Sequence, residues 1–420
     1  MDSVLFIAFH FPPFFGSSGI QRTLSFTRDL PKHGRWSPVV LTASPRAYPQ
    51  RDDSQLADIP RELVVHRAFA VDAARSFAVA GRYPAWLATP DRWRSWYPAA
   101  VLAGLRLIRR HRIRALWSTY PIATAHSIGA SLARLSGLPW IADFRDPMVE
   151  YVARDDQWYP ADARLRAARL SVERLCTQRA RKLVFCTETA RDICLDRHPG
   201  LDPSRCAVIG NGFDEDIFAA IEQRLPRSLP RAADARWVFV HSGTLYPGSD
   251  RDPGFLFRAL ARLREQRGRA LPIRVVLRGS GFEQQYAQLL KELHIADVVE
   301  LAPPVSYADA IDEMFRADAL LLFQGHNSNP AIPAKLYEYL RVKRPLFALV
   351  DPGGESARLL KQVGVTTVAP MEDEVEIARR LGHFLDRLER RDAALVPDLD
   401  TAAFSRERRA SELEALLGGF

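Results

Sequence analysis

Short runs rich in β-branched residues alternate along this chain with longer segments whose apolar positions recur at helical spacing. The first run, Val4–His10, predicts a strand, Gly19–His33 a helix, and Pro38–Thr42 the next strand. Further strands are expected at Ala115–Ser118, Pro139–Asp143, Lys182–Thr187 and Ala207–Gly210. This is the βαβ rhythm of a parallel sheet, and it predicts one doubly wound domain over 1–218. At 219–236, Pro226, Pro230 and clustered arginines interrupt the periodicity, which reads as a linker. A second series follows over 237–400, with strands at Trp237–Ser242, Ile273–Arg278, Val298–Leu301, Ala319–Phe323 and Pro345–Val350. Helices are expected between them at Pro253–Gln266, Phe282–Leu293 and Ala334–Arg341. A last helical pattern, Ser405–Leu417 within 401–420, either caps the second domain or crosses back to the first. The predicted fold class is therefore α/β, with two doubly wound Rossmann-like domains facing a central cleft walled by the carboxyl ends of the strands, where ligands bind in such sheets.

Composition narrows the class. With 420 residues, 47% hydrophobic and 26% charged, the chain supplies two cores and argues against a disordered or fibrous protein. No run of eighteen apolar residues is present, and Asp2, Pro12 and Pro13 spoil the N-terminal run as a secretion signal. Cys176, Cys186, Cys194 and Cys206 form no CxxC pair and no metal-like spacing with histidine. They read as buried free thiols in a reducing cytoplasm, with no metal site.

The net charge of +8 comes almost entirely from arginine, since only six of the 58 basic residues are lysine. Such a balance suits anionic partners. The arginines are spread out and no nucleic-acid signature appears, so phosphorylated small molecules or an anionic membrane surface are favoured over nucleic acid. Arg92–Arg114 combines Trp93, Trp96 and Tyr97 with seven arginines. It reads either as a lipid-facing helix, which would place the protein at the inner face of a membrane, or as a solvated helix packing Leu102, Leu105 and Ile108 inward.

Chemistry is expected in the loops after the strands. The first, FPPFFGSSGIQR, sets Gly16 and Gly19 before a helix whose N-terminus suits an anion; the spacing is not GxGxxG, so a dinucleotide fingerprint fails. DFRDP packs Asp143, Arg145 and Asp146 at a carboxyl edge, either to orient an acceptor hydroxyl and take its proton or to fix the loop by an ion pair. Asp143 and the loop histidine His126 are catalytic candidates, and Arg145, Asp146 and Arg22 are acceptor-binding candidates. HSGTLY (Gly243, Thr244) and RGSG (Arg278, Gly279, Gly281) place glycine beside polar groups that suit phosphates, and Arg251 follows in a loop that reaches the same pocket. In NPAIPAKLYEYLRVKRP, Lys335 and Glu338 share one helix face, where an ammonium meets a phosphate and a carboxylate meets ribose hydroxyls; the plainer alternative is an i,i+3 salt bridge.

In their order and spacing, the PPxxGxxG loop, DFRDP, NGFD at Asn211–Asp214, SGTLY, RGSG and IPAKLYEYL resemble the GT-B glycosyltransferases of family 4, retaining enzymes that use nucleotide-sugar donors. The resemblance spans most of the chain. It implies donor phosphates or acceptor at Gly16 and Gly19, with Gly16 and Gly19 counted as donor-binding, and ribose at Glu338. The family's usual arginine is replaced by Thr244, so Arg251 and Lys335 are nominated as the catalytic pair that neutralises the diphosphate. It also implies retention through an oxocarbenium-like transition state, without metal or other cofactor. The acceptor would be lipid-linked, a saccharide or a small molecule, in cell-surface polysaccharide, glycolipid or secondary-metabolite synthesis. The family's first glutamate, eight positions before Glu338, is Pro330 here. Two other readings compete: a non-hydrolysing nucleotide-sugar 2-epimerase, and a catalytically silent GT-B-like partner subunit. A dehydrogenase fails for want of the glycine spacing.

Overall fold

The computed structural model describes residues 1–14, 19–78, 82–225 and 236–420. They form two compact units, 1–212 with 404–420, and 213–403.

In the first unit the strands are β1 (Asp2–Ile7), β2 (Trp36–Ala43), β3 (Val64–Ala68), β4 (Ile113–Thr119), β5 (Trp140–Arg145), a small hairpin of β6 (Glu150–Val152) and β7 (Gln157–Tyr159), β8 (Lys182–Phe185) and β9 (Cys206–Val208). Its helices are α1 (Gly19–Asp29), α2 (Ala73–Ser76), α3 (Trp96–Arg110), α4 (Ala123–Ser136), α5 (Ala163–Arg179) and α6 (Glu188–Arg197). Apart from the hairpin the strands are parallel, in the order β3-β2-β1-β4-β5-β8-β9. β1 explains the architecture by its alternation. Val4 and Phe6 pack on one face with Leu24 and Phe26 of α1, while Leu5 and Ile7 pack on the other with residues of α3 and α4. A strand apolar on both faces needs helices on both sides of its sheet.

The second unit contains α7 (Glu215–Glu222), β10 (Trp237–Ser242), α8 (Gly254–Arg267), β11 (Ile273–Arg278), α9 (Glu283–Glu292), β12 (Val299–Ala302), α10 (Tyr307–Arg316), β13 (Ala319–Gln324), α11 (Ala334–Val342), β14 (Leu346–Val350), α12 (Glu355–Gln362), β15 (Val368–Pro370) and α13 (Glu374–Glu389). Its strands are all parallel, in the order β12-β11-β10-β13-β14-β15. α7 belongs here, because Arg341 of α11 pairs with Glu215 and Glu222 at 2.7 Å each and Phe218 stacks edge-on against Phe315. The final helix, α14 (Arg406–Leu417), lies in the first unit, burying Ala410, Leu413 and Leu417 in the cluster that holds Phe6 and Phe26. Ser405 caps it by accepting the Arg408 N–H, and Arg406 donates to the Gly212 carbonyl.

The strands that the pattern did not predict, β3, the hairpin and β15, are short, and β3 is half-exposed, so each carries little apolar signal. The expectation for Arg92–Arg114 needs correction. Along α3 the buried stripe is Ala100, Ala103, Gly104 and Leu107, so Leu102 points outward at 58% exposure while Leu105 and Ile108 pack against the core. Trp96 is fully buried, and the half-buried Trp93 donates to the Ala47 carbonyl. No helix among the described residues is long and apolar enough to cross a membrane.

Candidate functional site

In each sheet the strand order reverses between two strands, β1 and β4 in the first unit and β10 and β13 in the second. Loops leaving the carboxyl ends at such a switch point form the ligand crevice of doubly wound sheets.

In the second unit these loops are fastened to one another before any ligand is considered. Gln324, buried at the end of β13, donates to the carbonyls of Ser328 (2.8 Å) and Ala331 (2.7 Å) and accepts from Ser356 Oγ (2.9 Å). This shapes the loop that enters α11. The Asp250 carbonyl accepts the Gly325 N–H at 2.5 Å and its carboxylate accepts the Ser328 hydroxyl, tying the segment that carries Arg251 to the same loop. Pro330 is buried within it.

Lys335, in the first turn of α11, reaches back to β10: a Cβ built on Gly243 would stand 2.5 Å from its Nζ. Gly243 has φ +121°, so both its backbone and its lack of a side chain serve this approach. Burial, with the nearby Arg251 guanidinium, pushes the Lys335 ammonium down to about 8 against the opposing pull of Glu338. The two cations nominated from the sequence are therefore close enough to repel each other, an arrangement that an anion relieves.

Glu338, one turn on, is not the salt-bridge partner of Lys335. Its Oε1 accepts the Tyr307 hydroxyl at 2.7 Å, and its Oε2 has no protein partner among the described residues. That leaves an oriented carboxylate with a free acceptor edge. Sequence reasoning missed Tyr307, which lies 31 residues away with no local signal. It also missed His241, the first residue of HSGTLY. That ring is buried, donates from Nδ1 to the Leu321 carbonyl at 2.9 Å, and is kept neutral by burial and by Lys335 and Arg251.

Arg278 forms a bidentate pair with Glu313 (2.9 and 2.6 Å) and bonds the Pro303 carbonyl, so its guanidinium is committed within the unit. The Gly279 N–H is held by the Ala302 carbonyl and the Gly281 N–H by Glu283 Oε1, so neither is open to a phosphate. Thr244, on the exposed side of the β10 loop, lies where a Cβ on Gly281 would come within 3.2 Å of its methyl group.

In the first unit, Gly16 lies outside the described residues, and Gly19 begins α1. Arg22 grips Asp143 through two hydrogen bonds of 3.0 Å and bonds the Gly210 carbonyl; Thr119 donates to the same carboxylate. Asp143 is fully buried. The pair ties α1 to the carboxyl end of β5 and holds the loop, the ion-pair arrangement that was one of the alternatives its sequence left open. His126 is likewise in the core, 2.7 Å from Ser118 Oγ and packed on Phe144. Burial takes it down to about 4 in spite of Asp143.

Arg145 and Asp146 differ from these. A β-bulge between Asp143 and Arg145 puts Arg145 at φ +60°, a conformation that L-residues seldom adopt. Arg145 donates to the Tyr120 carbonyl at 3.3 Å, while its buried Nε has no hydrogen-bond partner. Asp146 is only half-buried; burial and Asp143 raise its carboxyl against the pull of Arg145 and Arg22. Glu150, absent from the sequence expectations, is pushed up to about 7 by burial and by Asp146. A backbone outlier thus lies beside two carboxyls whose protonation burial favours.

Residues 19–212 match the family model described as glycosyl transferase 4-like domain. A D-inositol 3-phosphate glycosyltransferase of Kineococcus radiotolerans is 32% identical over 177 residues; the match spans 40% of this chain and 40% of that relative's length. Among solved structures, Anabaena Alr3699/HepE in complex with UDP and glucose aligns over 100% of both chains with TM-score 0.64 and 13% identity. Sucrose-phosphate synthase from Thermosynechococcus elongatus aligns over 100% of this chain and 99% of its own, with TM-score 0.63 and 14% identity. At these identities the structural likeness establishes the fold.

Proposed function

We propose that this chain, which carries a glycosyl transferase 4-like domain on a GT-B fold, transfers a sugar from a nucleotide-diphosphate sugar to an acceptor hydroxyl with retention of configuration. The observation that carries the reading is the pairing on α11 of a Lys335 ammonium turned toward Arg251 with a Glu338 carboxylate oriented by Tyr307. A nucleoside diphosphate has complementary features: an anionic bridge for the cations and vicinal ribose hydroxyls for Oε2.

In the transfer, the bond from the anomeric carbon to the diphosphate oxygen breaks and the bond to the acceptor oxygen forms on the same face. The acceptor proton passes to the departing phosphate oxygen. Lys335 and Arg251 stabilise the charge growing on that phosphate, as preorganised cations do, without a metal ion. No protein nucleophile is required. In the first unit, Arg145 and Asp146 are the acceptor contacts. A UDP donor is supported by the Anabaena neighbour, whose structures hold UDP and UDP-glucose. The acceptor classes remain lipid-linked, saccharide and small-molecule, in cell-surface or secondary-metabolite synthesis at the cytoplasmic side of a membrane.

A thermal-shift screen with UDP, GDP, ADP and dTDP and their sugar conjugates, run on wild type and Glu338→Ala, tests this. One nucleotide family should raise the melting temperature of the wild type and not of the variant. Conversion of the donor to an epimer without acceptor would support the epimerase instead. Failure of every nucleotide against a well-folded wild type would favour a silent subunit.

A further inference from the structure

Three of the four cysteines converge on one place in the first unit, away from Asp143 and Arg22. Cys194 lies on α6, Cys176 on the neighbouring helix α5, and Cys206 opens β9. Between them sits Glu173 of α5, a carboxylate only 1% exposed. His198 follows Cys194 by four residues at the end of α6, so thiol and imidazole share one helix face. The ligand atoms of Glu173, Cys194 and His198 all lie within 4.8 Å of one another. Read along the sequence the cysteines show no metal spacing, because the third ligand arrives from another helix, 21 residues before Cys194.

We propose that Glu173, Cys194 and His198 form a binding site for a zinc-like divalent cation. The donor set of one thiolate, one imidazole and one carboxylate suits zinc, with the fourth position left to water. The geometry needs little change. His198 Nε2 stands 2.9 Å from Glu173 Oε1, and two ligands of a tetrahedral zinc with bonds of about 2.0 Å lie roughly 3.3 Å apart. Glu173 keeps a second partner: Arg197 Nη1 bonds both carboxylate oxygens, at 2.7 and 2.8 Å, and can remain on Oε2 as an outer-shell support while the ion takes Oε1. On binding, the Cys194 thiol proton leaves to solvent, the proton that His198 Nε2 shares with Glu173 is released or passes to Nδ1 through solvent, and the thiolate and the freed Nε2 lone pair form the metal bonds. The His198 side chain, 17% exposed, gives the ion its way in.

The consequence is local. Arg197 also donates to the Val149 carbonyl at 2.7 Å, so an ion held here would tie α5 and α6 to the chain that follows DFRDP.

The experiment uses the full-length chain, stripped with a chelator under reducing conditions and titrated with Co2+ as a spectroscopic stand-in for zinc. The expected result is one ion per chain, a near-ultraviolet thiolate-to-cobalt band bleached by Zn2+, and a higher melting temperature with Zn2+. Cys194→Ser and His198→Gln should each lose the band, while Cys186→Ser, outside the cluster, should keep it. If Cys194→Ser folds poorly by near-ultraviolet circular dichroism, His198→Gln decides alone, since that ring is partly exposed. A folded wild type with no thiolate band, or a band that survives in either ligand variant, overturns the site.

Discussion

Lys335 and Gly243 stand in contact across the switch point of the second sheet, with the ammonium occupying the space where any other residue at 243 would place its Cβ. Gly243→Ala therefore displaces Lys335 and strains a backbone at φ +121°. The expected cost is about 1–3 kcal/mol of stability. Donor affinity should fall further than that loss explains, because the variant stays largely folded while its cation is moved. Denaturant melts alongside nucleotide titrations separate the two effects.

Lys335 sets a pH limit on the proposed transfer. Its ammonium, brought down to about 8 by burial and Arg251, loses its charge as pH rises through that value. The kcat/KM profile for the donor should therefore fall on the alkaline side near pH 8. Arg251→Gln removes one of the charges that lowers Lys335, so the falling limb should move to higher pH even as the rate drops. A limb unmoved in that variant would separate it from Lys335.

Glu338→Ala should weaken donor binding about ten- to a hundredfold, the range for one or two hydrogen bonds to a charged group. Tyr307→Phe keeps the carboxylate but frees it to rotate, so a smaller loss of about fivefold is expected. Equal losses would mean that Tyr307 contacts the donor itself. Calorimetric titration with the nucleotide that stabilises the wild type makes the comparison.

Arg22 and Asp143 make a different kind of pair, buried and closed on itself. Removing one partner strands a charge in the core, so Arg22→Met or Asp143→Leu should each cost about 3–5 kcal/mol, and the double variant should recover much of it. A mild effect of Asp143→Leu on stability together with a large loss of turnover would place Asp143 in the catalytic group.

Glu150 links pH to stability. Its folded carboxyl titrates at about 7 and its ordinary value is 4.5, so between those pH values the folded state binds more protons than the unfolded one. The Glu150 contribution is thus full below about 4.5 and lost as pH rises to about 7. Glu150→Gln should flatten the stability curve across that window in chemical denaturation.

Most of the architecture was legible in the chain, because burial on both faces makes a parallel strand a near-continuous apolar run, and such runs at β1, β10, β13 and β14 announce themselves. The α11 segment was legible too, since a helix places residues three apart on one face whatever surrounds it. What each side chain meets there was not. Lys335 and Glu338 had the spacing of a salt bridge, and only the approach of β10 and α10 decided that one faces Gly243 and the other accepts Tyr307. Asp143, Arg145 and Asp146 likewise read as one cluster. A bulge in β5 and an arginine 121 residues earlier divided them, sealing Asp143 in the core, giving Arg145 its own partner in the Tyr120 carbonyl and leaving Asp146 half-buried. Periodicity fixes which way a residue points along its own element, whereas the partner it finds depends on contacts between elements distant in sequence, and those exist only once the sheets and helices have packed.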